Sequence, residues 1–238
     1  CDEGAGAIVS DSSGNGNDGT FVEGDPVWVE GIRGSAVELT NPTRIEIPAL
    51  NVDLSEATMA GWMKPYGSQP DWSAFLMTRG VATGFNVLGF QLAYHWNDTG
   101  DSWGFRGGDL IADNEWTFAA LAVHPDRATF YVNGVEGSTN TVNHGTVSFS
   151  ANLYMGGDTG AARRMTGALD DVSIFSRALS GDEIKVLMNG LADPALAGNV
   201  APASDATDVP RDVSLSWSAG KYAVKHDVYL GTSFEDVN

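Results

Sequence analysis

The stretch from Trp116 to Val135 reads WTFAALAVHPDRATFYVNGV and carries the clearest structural pattern in the chain. Its first apolar run predicts a long buried strand that ends at His124, and the Pro-Asp pair that follows predicts a turn. Residues 128–132 alternate as a second strand would, and the Asn-Gly pair after them strongly favours a two-residue hairpin turn. The stretch therefore predicts antiparallel strands joined by tight turns.

Similar short apolar segments occur along most of the chain, and the 29 glycines provide many places for turns. This pattern is typical of a β-sandwich or a barrel. One helix is predicted after Ser180, because Glu183 occupies the capping-box position. The fold class is therefore all-β, and further strands are predicted at residues 35–39, 44–47, 58–64 and 168–175.

The composition restricts the partners that the protein can have. Its 13 Lys and Arg residues stand against 31 Asp and Glu residues, which gives a formal net charge of −18. Nucleic acids and anionic membrane surfaces need a basic protein surface, so we expect neither as a partner. The sequence contains no apolar run near the ~20 residues of a membrane-spanning helix, so we expect no membrane insertion.

The ends of the chain differ in composition from its main part. Cys1 is the only cysteine, and it is either an acylated lipoprotein cysteine or the first residue of a fragment of a longer protein. Residues 191–203 are rich in Ala, Pro and Gly and are predicted to be a linker. Residues 204–238 contain two alternating segments, too few for an independent sandwich, and are predicted to begin a second β module.

Five sequence blocks follow one another along the chain: Asp11–Thr20; Trp28 with Gly31–Ala36; Thr58–Pro65; Trp116–Ala119 with Tyr131–Gly134; and Gly167–Val172 with Arg177–Ser180 and Glu183–Ile184. In this order they resemble the motifs of bacterial laminin G-like domains of the concanavalin A-like superfamily. The resemblance covers residues 1–190 and implies a jelly-roll sandwich of two antiparallel sheets. Residues 204–238 are similar to the start of a fibronectin type III-like or immunoglobulin-like module.

The loop Asp11–Gly19 predicts a structural calcium site, because Ca²⁺ prefers six to eight hard oxygen ligands. The resemblance implies that one of two adjacent acids in the last strand completes this site, and strand alternation predicts that the other points away. The alternative is a plain turn whose side chains bond their own backbone. The predicted ligands are Asp11, Asn15, Asn17, Asp18 and either Asp170 or Asp171.

Tryptophans in polar, loop-like segments predict a sugar-binding surface. An exposed aromatic ring stacks on the apolar face of a sugar, and nearby polar side chains bond its hydroxyls. Trp62 and Trp116 lie in alternating strands and are predicted to pack in the core. The alternative for the loop aromatics is that they anchor long loops onto the sheet. The predicted ligand-binding residues are Trp72, Tyr94, Trp96, Asn97, Asp98, Asp101, Trp103 and Arg106.

Catalysis is the least supported function in the sequence. A retaining glycosidase needs two carboxyl groups about 5–5.5 Å apart, and the Glu-x-Asp-x-x-Glu type of strand motif that could supply them is absent. The four histidines show no metal-ligand spacing.

The sequence therefore predicts a secreted or cell-surface module of a longer protein. Its predicted function is non-catalytic recognition of a polysaccharide or glycan, with a structural calcium ion. The first alternative is a structural or adhesive module that binds a surface protein, and the second is a polysaccharide-cleaving enzyme of jelly-roll fold.

Overall fold

A computed structural model gives the structure of the protein and describes residues 1–159, 163–190, 198–202, 207 and 209–219. The chain divides into two compact units, Cys1–Met188 and Asn189–Asn238. In chain order the strands are β1 (Ile8–Val9), β2 (Gly19–Val22), β3 (Val27–Glu30), β4 (Ser35–Leu39), β5 (Arg44–Ile47), β6 (Asp53–Leu54), β7 (Ala57–Pro65), β8 (Gln69–Thr78), β9 (Thr83–Gly89), β10 (Gln91–His95), β11 (Thr117–His124), β12 (Arg127–Val132), β13 (Val135–Asn140), β14 (Val147–Ser148), β15 (Leu153–Met155), β16 (Gly167–Phe175), β17 (Gly198–Ala201) and β18 (Ser216–Ser218).

The first unit is a sandwich of two seven-stranded sheets. The first sheet has the strand order β1-β2-β5-β15-β8-β9-β10, and the second has the order β13-β12-β11-β7-β16-β4-β3. The strand pairs within both sheets are antiparallel. The all-β prediction is therefore confirmed.

The hairpins predicted between residues 116 and 135 are confirmed. His124 pairs with Arg127 across the first turn, and Val132 pairs with Val135 across the second. Asn133 and the glycine after it have φ values of 50° and 74°. Positive φ at both central residues is the backbone of a type I′ turn, which matches the twist of the flanking strands.

The main core lies between the two sheets. The inward positions of β7, at Met59 and Met63, are fully buried together with Phe75, Phe85 and Phe130 of other strands. Strand alternation places every second residue of β7 on the opposite, outer face of the second sheet.

Helix α2 (Gly181–Met188) covers part of that outer face. Ile184 packs with Leu179, Phe118 and Tyr131 in a separate apolar cluster. The Ser180 and Glu183 side chains form the predicted capping box, because Glu183 Oε2 accepts the Ser180 N–H at 2.8 Å and the Glu183 N–H reaches Ser180 Oγ at 3.4 Å. A second helix of one turn, α1 (Gly100–Trp103), lies between β10 and β11.

In the second unit, β17 pairs with β18 in antiparallel register. Strand β17 falls within the segment that the sequence predicts as a linker. One of the two alternating segments of residues 204–238, at residues 226–230, and most of the rest of that predicted module lie outside the described residues. The linker and module boundaries therefore stay predictions.

Candidate functional site

A stacked arrangement of three side chains lies at β8 and β10 of the first sheet. The Arg106 guanidinium carbon lies 4.7 Å from the centre of the Trp72 ring. The His95 ring meets Trp72 edge-on, with ring centres 4.7 Å apart. Trp72 is half-buried in β8 and does not lie in a loop as predicted. Its φ of 65° accompanies a shift in register between Gln69 and Ser73, which re-aims the side chain.

The other exposed residues of the predicted sugar-binding set lie in the segment that follows β10 and leads through α1 to Arg106. Trp103 is 43% exposed and belongs to α1, and Arg106 donates hydrogen bonds to the backbone carbonyls of Trp103 and Phe105. These contacts bring one loop and one strand together. The resulting surface, called the Trp72 patch below, consists of Trp72, Asn97, Asp98, Asp101, Trp103 and Arg106.

Two of the predicted sugar-binding aromatics are buried. Tyr94 is 0% exposed and Trp96 is 1% exposed. Both belong to the main core, where they share one face of the chain with Leu92. The expectation that these two rings are exposed is wrong, because strand alternation in β10 continues through residue 96 and turns them inward. The alternation of residues 92, 94 and 96 was the signal that could have revealed this.

The buried aromatics instead anchor the loop that carries the Trp72 patch. The Asn140 side-chain amide donates hydrogen bonds of 2.8 Å to the Tyr94 hydroxyl and to the Asp101 carbonyl. The Trp96 indole N–H donates to the Gly145 carbonyl at 2.6 Å. Burial raises the pKa of Tyr94 to about 12, so its hydroxyl stays protonated at neutral pH.

His95 contacts the Trp72 ring as a neutral imidazole. Its Nδ1 lies 3.0 Å from the Asn86 side-chain oxygen. Burial first, and then the positive charges of Arg79 and Arg106 against the opposing charge of Asp98, lower the pKa of His95 to about 4. The ring is therefore uncharged at neutral pH.

Arg106 stands out among the cationic side chains of this acidic protein. Other arginines lie close to carboxylates, as Arg44 and Arg164 do to Glu23 at 2.6 Å. Within the described part of Cys1–Met188, only Lys64 and Arg106 among Lys and Arg side chains have no carboxylate within 4.0 Å. Both unpaired cations lie beside aromatic rings.

The predicted calcium loop makes hydrogen bonds within itself. The Asp11 carboxylate accepts N–H groups of Ser13 and Asn17, each at 2.9 Å. Asp18 accepts the Asp11 N–H at 2.7 Å, and the Asn15 amide donates to Ser13 Oγ at 2.9 Å. This is the bonding of an Asx-type turn, the alternative that the sequence left open.

The two adjacent acids of β16 contact the turn between β3 and β4. Asp170 Oδ2 accepts the N–H of Ile32 at 2.8 Å, and Asp171 forms an ion pair of 2.7 Å with Arg33. The expectation that these acids face opposite ways is wrong. A register shift between Asp170 and Ser173, with φ of 47° at Asp171, interrupts the alternation. Burial, followed by the charge of Asp171, raises the pKa of Asp170.

The predicted calcium ligands of β16 are engaged by other protein groups, which does not fit a calcium ion shared with the loop Asp11–Gly19. Asp170 Oδ2 accepts backbone N–H groups, and Asp171 is paired with the Arg33 guanidinium. Among the residues that the structure describes, no group of three or more His, Cys, Asp or Glu side chains could hold a metal ion.

A second surface feature was missed in the sequence. A trough of about 420 Å³ lies on the second sheet. Trp116, predicted as a core residue, is half-buried and lines this trough instead. The signal was the alternation of Trp62 and Lys64 on one face of β7, which Tyr66 continues just after the strand. The lining residues are Val29, Glu30, Gly31, Lys64, Tyr66, Trp116 and Ala168.

The family of the chain follows from the comparison of its sequence with known families. A laminin G family model, described as the concanavalin A-like lectin/glucanases superfamily, matches residues 39–185. This match covers more than half of the chain, and the chain belongs to this laminin G-like family. The predicted resemblance to laminin G-like domains is thereby confirmed. No protein with curated annotation matches the sequence.

Solved structures share the concanavalin A-like fold. Domain 4 of AbnA, an extracellular GH43 arabinanase from Geobacillus stearothermophilus, was solved in complex with arabinotriose. It matches with a TM-score of 0.62 and 22% identity, over 75% of this chain and 92% of that chain.

Two further structures match over less of their own length or with fewer identities. The binding domain of Paraclostridial Mosquitocidal Protein 1 has a TM-score of 0.60 and 14% identity, over 77% of this chain and 51% of that chain. A heptameric pentraxin from Limulus polyphemus has a TM-score of 0.54 and 15% identity, over 67% and 84%. These identities establish the fold alone.

The helices of the described residues are too short or too polar to cross a membrane.

Proposed function

We propose that the first unit is a non-catalytic carbohydrate-recognition module of a secreted or cell-surface protein. The observation that carries the proposal is the stacking of the unpaired Arg106 on Trp72, beside the exposed ring of Trp103. A guanidinium without a carboxylate partner is unusual in a chain of net charge −18. Its N–H groups that no backbone carbonyl uses remain available to a ligand.

The chemistry of the Trp72 patch suits a sugar. The Trp103 ring offers an apolar face that can stack on the C–H face of a pyranose or furanose. Arg106 supplies donors, while the exposed Asp98 and Asp101 supply acceptors for hydroxyl groups. A few polar groups around an aromatic ring are the usual means of orienting a small ligand.

The comparisons support a glycan as the partner. The AbnA domain, which this chain matches over 92% of that domain's length, was solved with arabinotriose bound and belongs to an extracellular enzyme. We extend to this chain the ligand class and the extracellular location, but not the particular sugar.

A structural or protein-adhesion module is the second candidate. The observation that favours it is the burial of Tyr94 and Trp96, which leaves fewer exposed rings than the sequence predicts. A following fibronectin type III-like or immunoglobulin-like module at residues 204–238, joined through a linker at 191–203, also fits an adhesive protein. The partner would then be a surface protein.

Neither calcium binding nor catalysis is part of the proposed function. The carboxylates of Asp170 and Asp171, one of which the predicted calcium site would need, already bond to the turn at Ile32 and Arg33. Calcium therefore stays a prediction of the sequence.

Glycan-array binding by the full 238-residue chain tests the proposal, with calorimetry on any sugar that binds. We expect Trp103→Ala and Arg106→Gln each to weaken binding about tenfold or more, as loss of a stacked ring or a charged donor would. Trp217→Ala is the matched control, because Trp217 is also exposed, at 38%, but lies in the second unit.

Two outcomes would contradict the proposal. Equal binding by Trp103→Ala and the unsubstituted chain would remove the Trp72 patch from the site. An array without any binding, with a folded protein by circular dichroism, would favour the adhesion module.

A further inference from the structure

The trough on the second sheet has the form of a binding groove. Its volume of about 420 Å³ falls within the range of roughly 300–1,000 Å³ that is usual for small-ligand sites. Tyr66 and Trp116 provide aromatic walls, and the small Ala168 side chain lies between larger neighbours. Helix α2 packs against a different part of this face, around Phe118 and Tyr131.

Strand register explains why these side chains lie in one row. Lys64 of β7 pairs directly with Ala168 of β16, and Ala168 pairs with Glu38 of β4. On the other side of β7, Met63 pairs with Thr117, so Trp116 lies opposite Lys64. Residues directly opposite in antiparallel strands share a face of the sheet. Trp116, Lys64, Ala168 and Glu38 therefore follow one another across the outer face.

Lys64 is left without a carboxylate partner in this row. The nearest acid along it, Glu38, lies beyond Ala168 and accepts the Tyr66 hydroxyl at 2.9 Å. Burial, and then this bond to Glu38, raises the pKa of Tyr66 to about 12, so the hydroxyl remains a donor at neutral pH. Lys64 therefore lines the trough together with Trp116, and no carboxylate of the described residues lies within 4.0 Å of its ammonium.

One acid, Glu30 of β3, lines the same trough as Lys64. The two side chains form no ion pair within 4.0 Å. Glu30 can accept hydroxyl groups of an extended ligand while Lys64 binds an anionic group.

We infer that this trough is a second binding site, which takes a sugar chain containing a uronate. The Lys64 ammonium binds the uronate carboxylate, and the Tyr66 and Trp116 rings contact the apolar faces of the sugars. A charge-assisted bond to an ammonium is stronger than a neutral one, and it distinguishes a uronate from a neutral sugar. The site lies on the opposite sheet from β8 and β10 of the Trp72 patch, and the inference does not rest on that patch.

Calorimetry on the full chain tests the inference, with short oligosaccharides of galacturonate, mannuronate and glucuronate as probes. We expect at least one of them to bind. Its methyl ester should bind at least about tenfold more weakly. Lys64→Gln should lower the affinity for the acid to the affinity that the unsubstituted chain has for the ester. Lys64→Arg should keep most of the affinity for the acid. Lys185→Gln is the matched control, since Lys185 lies on α2.

The inference is overturned if none of the three uronates binds, or if acid and ester bind equally to the folded chain. Loss of uronate binding in Arg106→Gln but not in Lys64→Gln would assign the ligand to the Trp72 patch and would also overturn it. Binding of a polyglutamate peptide as tightly as the uronate, with the same dependence on Lys64, would replace the sugar by an acidic peptide. We expect Arg106→Gln and Trp103→Ala to retain uronate binding. This result would separate the trough from the Trp72 patch, on which the proposed function depends.

Discussion

The Asn140 side-chain amide donates a hydrogen bond of 2.8 Å to the Tyr94 hydroxyl, deep in the sandwich. The same amide donates a second bond of 2.8 Å to the backbone carbonyl of Asp101, which is an exposed residue. A single buried residue at the end of β13 thus connects the core to the loop that carries Trp103 and Arg106.

Asn140→Leu should remove both of these bonds while preserving the approximate volume of the side chain. We expect a loss of about 1–3 kcal/mol in the free energy of unfolding, because buried partners are left unsatisfied. Urea unfolding measures this loss. Asn143→Leu is a suitable control, because Asn143 is exposed. Equal stability of both variants would show that the amide does not hold the loop.

Trp96 and Trp103 should respond in opposite ways to truncation. Trp96→Ala should destabilise the fold by about 3–5 kcal/mol, because a large buried side chain leaves a cavity. Trp103→Ala should change stability by less than about 0.5 kcal/mol, as expected at an exposed position. Urea unfolding of both variants, beside the glycan titration, separates folding from binding. A destabilised Trp103→Ala would mean that this ring anchors its loop.

Stability should decrease in mild acid because of His95. Burial lowers the pKa of His95 in the folded state to about 4, against a usual value of 6.5. The unfolded chain therefore binds the proton first, so the stabilisation is complete above pH 6.5 and is lost as the pH falls toward 4. The loss reaches about 3 kcal/mol from this residue alone.

Urea unfolding across this pH range measures the effect, with His95→Gln as the comparison. Burial also lowers the pKa values of His124 and His144, so some pH dependence should remain in His95→Gln. An unchanged slope in that variant would contradict the assignment to His95.

Gly31→Ala should destabilise the fold through Asp170. A Cβ atom at residue 31 would lie 2.5 Å from Asp170 Oδ2 and 3.0 Å from the backbone of Ser35. Relieving this overlap should cost about 1–3 kcal/mol. Gly100→Ala is the matched control, because its Cβ would lie 3.7 Å from the nearest atom, in Trp103. Thermal or urea unfolding of both variants checks the difference, and equal stability would contradict it.

Removal of calcium should not change the melting temperature. The Asp11 carboxylate already accepts two backbone N–H groups, and Asp171 is paired with Arg33. Differential scanning calorimetry with EDTA and then with excess Ca²⁺ measures the effect. A rise in melting temperature with Ca²⁺ would show that the folded state binds the ion, and would restore the calcium site predicted from the sequence.

Local patterns predicted the regular parts of the fold well. The strands at residues 35–39 and 44–47 have the predicted bounds, and the Asn-Gly turn after β12 has the predicted geometry. These features depend on alternation and turn chemistry within a few residues, which the sequence displays directly.

The candidate site was predicted less completely, because it depends on departures from these local rules. Trp72 takes its direction from a bulge in β8, and the acids of β16 take theirs from another. Polar residues around Trp96 made its segment resemble a loop, although its ring continues the inward face of β10.

The sequence by itself determined the all-β class, the laminin G-like family and the acidic charge, since these follow from local alternation, motif order and composition. Only the tertiary structure decided which cations lack a partner and which aromatic rings reach the surface. The ion pair of Arg44 with Glu23 depends on register between segments distant in the chain, and so does the position of Trp116 opposite Lys64. Register is fixed by the packing of the whole sandwich, and no local pattern records it.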